Sequence, residues 1–161
     1  MNSNMSILLP LLLFGLLSNR PCQTHDEVVV AKKSADLVEP ILDEMNQAVQ
    51  KKPMDESERS PLWRSGELLG RLFKDKSPAA DEASIVLFSY YLGESSGEDL
   101  IHEVTARGPR MLPYLRKYEC HNAKLQDRQY PNSLYLPPQV KQTFFQEAIR
   151  SIGKGKNSNV Q

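Results

Sequence analysis

Cys22 and Cys120 are the two cysteines of this chain, and each has a histidine close by: His25 three residues after the first, His121 directly after the second. Two thiolates and two imidazoles are the donor set of a tetrahedral zinc site. A cysteine with a histidine base, His102 or His121, and an orienting acid such as Asp127 is the outline of a nucleophilic triad. The spacing supports neither reading. Adjacent residues such as Cys120 and His121 seldom point at one ion, and a disulfide between the two cysteines would consume both thiolates. The chain has no Gly-x-Ser-x-Gly elbow, no His-Glu-x-x-His and no phosphate-cradling glycine loop. Asp43, Glu44, Glu67, Glu82, Glu94, Glu98 and Glu103 lie on or beside amphipathic segments, where carboxylates are normally solvated. No catalytic residue, metal ligand or cofactor site is therefore assigned. The enzyme reading that these residues allow is a small secreted or periplasmic hydrolase, or a metal-dependent enzyme, built on Cys120 and His121.

A binding role suits the remaining residues better. The stretch from Asn122 to Leu136 carries Arg128, Tyr130, Leu134, Tyr135 and Leu136, and a basic segment just before it carries Arg107, Arg110, Arg116 and Lys117. Arginine and aromatic side chains are the usual anchors of protein interfaces. Arg128, Tyr130, Leu134, Tyr135 and Leu136, with Arg110 and Arg116, are the candidate contacts for a protein partner. Trp63 is expected in the core. Nucleic acid is not an expected ligand, because 20 Lys and Arg balance 20 Asp and Glu and leave no net field to attract phosphates.

The elements that must position these residues begin after a leader. Residues 1–24 run from a polar start into the apolar stretch Ile7 to Leu17. At about eleven residues, this is the length of a signal-peptide core and too short to span a bilayer as a helix. Cleavage after Ser18 or after Thr24 is expected to yield a secreted or periplasmic protein with no membrane span. A cut after Ser18 keeps both cysteines in an oxidising compartment, where a Cys22–Cys120 bridge would close a long loop and stabilise by about 4–5 kcal/mol in the chain-entropy model. Residues 25–152 are read as one domain and 153–161 as a polar, basic tail.

Apolar residues recur at helical spacing through most of that domain. The pattern from Glu27 to Gln50 is a helix with a kink or break expected before Pro40. Ser60-Pro61 and Ser77-Pro78 each pair an N-cap residue with a proline at the first helical position. The run Ile85 to Leu92 is apolar nearly all round, which marks the central helix. Ser96 to Asp99 is read as the cap of the next helix, and Gly108-Pro109 as the boundary before another. Residues 119–138 lose all period, and a last helix covers Val140 to Ile152. Only 28–30 and 134–136 suit strands. The fold class is all-α: five or six short amphipathic helices stacked as antiparallel hairpins, with a long irregular loop before the last. The segment 60–118 resembles a HEAT-type helical array in helix length and turn placement, but no fixed repeat runs through it.

Overall fold

The computed structural model describes residues 26–50, 61–126 and 128–155. The leader, and with it Cys22 and His25, lies outside the described residues, as do the Ser60 cap and Asp127. The described chain is all-α, with six α-helices and one small two-stranded sheet. We number the elements β1 (Glu27–Val29), α1 (Lys32–Gln50), α2 (Pro61–Lys74), α3 (Pro78–Val86), α4 (Glu94–Arg107), α5 (Leu112–Glu119), β2 (Asn122–Lys124) and α6 (Pro138–Gly155). Short 3₁₀ turns cover Leu87–Ser89, Gly108–Met111 and Asn132–Leu134.

The helix expected from Glu27 starts instead at Lys32, because Glu27–Val29 pairs as a parallel strand with Asn122–Lys124. Val28 and Val29, within the 28–30 run that suits a strand, gain in Asn122–Lys124 a partner that no local pattern announces. The break expected near Pro40 does not occur, and α1 is unbroken to Gln50. The amide that proline lacks would have bonded the Asp36 carbonyl. Both residues are exposed, so the Asp36 carbonyl is left facing solvent and not buried without a donor. The opposite face buries Ser34, Ala35, Val38, Ile41, Leu42 and Met45 against α2 and α3.

α3 is the hub. Every residue from Ala80 to Tyr90 is buried, and α3 touches α1, α2, α4 and α5. Ser77 caps α3 as the sequence indicates, its Oγ accepting from the Ala80 amide at 3.2 Å with Pro78 in the first turn. Ser77→Ala is expected to lower stability by about 1 kcal/mol, read as a shift of the urea midpoint at unchanged m-value. α4 begins at Glu94, a turn earlier than Ser96–Asp99 implied, directly after Gly93 at φ +87°. α6 continues to Gly155, so the segment read as tail from 153 starts as helix.

Two carboxylates on α3 are buried, and two sets of cations hold them. The Arg107 guanidinium, with a side chain only 2% exposed, donates to Asp81 (2.6 Å), to Glu103 (2.9 Å) and to the carbonyls of Leu72 and Phe73 (3.0 Å each). It thereby caps the end of α2 while pairing with α3 and its own helix. Arg110 adds a second contact to Asp81 at 2.9 Å. Glu82 accepts from the Lys117 ammonium (2.6 Å), the Tyr118 hydroxyl (2.7 Å) and the Ser34 hydroxyl (2.7 Å). Burial pushes the Glu82 pKa up, but these three donors outweigh it and the net shift is downward.

Candidate functional site

Residues from 119–126 and 128–138, a stretch that lacks any period, form the wall of a cleft of about 900 Å³. Its other sides come from the start of α6 and from Ser89 at the end of the turn after α3. The size falls in the ~300–1,000 Å³ range of ligand sites. This stretch is not a free loop. β2 anchors its beginning, and the Leu125 and Leu134 side chains enter the core. The Tyr91 amide donates to the Leu134 carbonyl (2.8 Å) and the Leu136 amide to the Ser89 carbonyl (3.0 Å), flanking a bridge between Tyr90 and Tyr135.

Three tyrosines brace the inner wall. The buried Tyr90 ring meets Tyr130 edge-on at 6.3 Å and Tyr135 at 4.9 Å. Burial pushes the Tyr90 hydroxyl pKa up, and the neighbouring Tyr135 adds to the shift. The Tyr130 hydroxyl donates to Asp43 at 3.0 Å; burial and that carboxylate both raise its pKa. Arg128 also pairs with Asp43, and it lies 3.7 Å from Glu39, so the loop is clamped to α1. Lys124 pairs with Glu27 across the sheet at 3.0 Å.

Lys141 differs from these cations. It is 8% exposed, its ammonium donates to the His121 carbonyl at 2.6 Å and lies 5.6 Å from the Phe145 ring, and no carboxylate pairs with it among the described residues. Burial without a counter-ion holds its pKa down to about 8. In the same wall, Ser89 carries a buried hydroxyl that has no hydrogen-bond partner among the described residues.

Of the seven candidate contacts read from the sequence, Arg128, Tyr130, Tyr135 and Leu136 line the cleft. Leu134 is fully buried in the core beneath it, where it cannot meet a partner in this conformation. Arg110 is occupied by Asp81, and Arg116 is exposed on α5; neither lines the cleft. Trp63, expected inside, is 45% exposed. Lys141 was not singled out, although a signal was present: it shares the stripe 141, 145, 148, 152 with Phe145, Ala148 and Ile152, all buried.

Of the residues considered for chemistry, Cys22, His25 and Asp127 lie outside the described residues, and the described ones do not form a catalytic or metal-binding group. Cys120 follows α5 at the cleft and is not a free thiol. His121 Nδ1–H donates to the Lys117 carbonyl at 2.8 Å, and His102 is exposed on α4. Among the described residues no group of three or more His, Cys, Asp or Glu is placed to hold a metal ion, and no helix is long and apolar enough to cross a membrane. The chain matches no family model, no curated protein and no solved structure.

Proposed function

We propose that this is an exported, non-enzymatic helical protein that binds a partner protein through the cleft between β2 and the start of α6. The supporting observation is the cleft itself. It is large enough for a peptide segment, and its rim of amides, tyrosines and paired cations belongs to a non-helical stretch tied to the core at both ends. Such a wall presents polar groups in fixed positions, which lowers the ordering cost of binding. An envelope adaptor, an inhibitor and an immunity-type protein are all forms of this reading. A Cys22–Cys120 bridge belongs to the same proposal, because Cys120 lines the cleft and the bridge would tether the N-terminal arm beside it.

Deleting 122–136 is not a clean test, because Leu125, Tyr130 and Leu134 are core residues. The exposed Gln126 and Gln129 serve instead. The chain carrying Gln126→Arg and Gln129→Arg is expected to keep its thermal transition and to lose the partner that the wild type captures from its own compartment. Identical captured sets would refute the cleft as the binding surface. N-terminal sequencing of the exported protein should find Asn19 or His25 first; where Asn19 comes first and Cys22 is retained, peptide mapping without reductant should find the two cysteines joined. An intact Met1 in the mature protein would remove the export reading.

A further inference from the structure

The partner-binding reading can be carried to the kind of segment bound. In β2, the pairing with β1 uses the Asn122 amide, which donates to the Asp26 carbonyl (3.0 Å), and the Lys124 carbonyl, which accepts from Val30 (3.0 Å). Strand alternation then turns the amide and carbonyl of Ala123 toward the other edge. Among the described residues that edge has no strand neighbour, and Ala123 lines the cleft. An unpaired strand edge accepts an added strand through its main-chain hydrogen bonds.

The direction of that strand follows from Lys141. Its ammonium bonds the carbonyl of His121, the residue immediately before β2, and so stands at the N-terminal end of the strand. A peptide antiparallel to β2 ends there with its C-terminus, and a parallel one starts there with its amine. Lys124 and Arg128 are already neutralised by Glu27 and by Asp43 with Glu39, whereas Lys141 has no carboxylate partner among the described residues. We propose that the cleft takes the C-terminal end of an extended partner polypeptide, paired antiparallel with the outer edge of β2, with its terminal carboxylate seated on Lys141. The inference rests on the partner-binding reading and adds the part of the partner that is recognised. Burial that already disfavours the lone ammonium makes an incoming carboxylate the missing counter-ion.

The test titrates a pool of N-acetylated random hexapeptides with free C-termini into the ¹⁵N-labelled full chain, beside the same pool amidated. The free-acid pool is expected to shift the Ala123 amide and slow its hydrogen exchange, and the amidated pool to bind at least tenfold more weakly. Lys141→Met should erase that preference, and Lys141→Arg should keep it. Equal binding of both pools, or no response at Ala123, would overturn the proposal. So would tight binding of amidated peptides with a fixed internal Asp or Glu, which would move the carboxylate to a side chain. Should the Gln126 and Gln129 variant abolish partner capture while neither pool discriminates, the cleft remains the binding surface and only the C-terminal recognition falls.

Discussion

Arg107→Met is expected to destabilise the protein by about 3–5 kcal/mol, the usual cost of removing one member of a buried ion pair. The side chain is 2% exposed and serves four acceptors on three helices: Asp81 on α3, Glu103 on α4, and the Leu72 and Phe73 carbonyls that end α2. Its loss leaves a 5% exposed Asp81 with only the part-exposed Arg110, and leaves two carbonyls at the end of α2 without this donor. Methionine matches much of the volume, so the effect reports charge and hydrogen bonding rather than a cavity. Arg107→Lys should recover only part of the loss, because a single ammonium cannot reach acceptors on three elements at once. Thermal unfolding of the two variants, with the exposed Arg116→Ala as control, decides the matter. A change within about 0.5 kcal/mol for Arg107→Met, the scale of surface substitutions, would show that the three helices do not depend on this clamp.

Glu82→Gln should cost about 2–4 kcal/mol at neutral pH, since the amide must face three donors with one acceptor oxygen. The Ser34 contact spans 48 positions in sequence, and the Tyr118 and Lys117 contacts span 36 and 35, so this carboxylate ties α1 and α5 to the hub. The pH dependence has a definite sign. Burial alone would raise the Glu82 pKa, but hydrogen bonds from Lys117, Tyr118 and Ser34 hold it below the unfolded value. A carboxylate with a depressed folded pKa stabilises above its unfolded value of about 4.3 and loses that contribution as pH falls through the folded value. Wild-type stability should therefore decline below about pH 4, with Glu103, whose pKa is also lowered, adding to the slope. The Gln variant should be less stable at pH 7 and show a shallower decline in acid. Urea midpoints measured between pH 7 and 2.5 give both slopes, and parallel curves would mean that Glu82 does not carry the linkage.

Neither effect is visible in the local pattern that locates the helices. Asp81 sits in the first turn of a capped helix and Glu82 directly after it, where acidic residues near the N-terminus are favoured whether exposed or buried. Arg107, Arg110 and Lys117 read as a basic surface, yet their partners Asp81 and Glu82 lie 26, 29 and 35 positions away. Trp63 fell on an apolar-looking face and lies partly in solvent. Lys141 occupies a core register but its charge hides it, since a lysine is counted as polar even where its ammonium lies over a buried ring such as Phe145.

By itself the sequence determined the helix class, the cap at Ser77-Pro78, the boundary at Gly108-Pro109 and the final amphipathic helix. Each of these depends on residues within a turn or two of one another. The run Ile85 to Leu92, read as the central helix, instead leaves α3 at Val86 for a 3₁₀ turn and an extended Tyr90 bridged to Tyr135. Only the tertiary structure decided that Glu27–Val29 pairs with Asn122–Lys124, that the aperiodic stretch is the wall of a cleft, and which cation lining that cleft has no carboxylate partner among the described residues. Three-residue strands have too little alternation to announce themselves. A charged group shows its surroundings only when residues distant in the chain are brought within about 3 Å, the reach of a hydrogen bond.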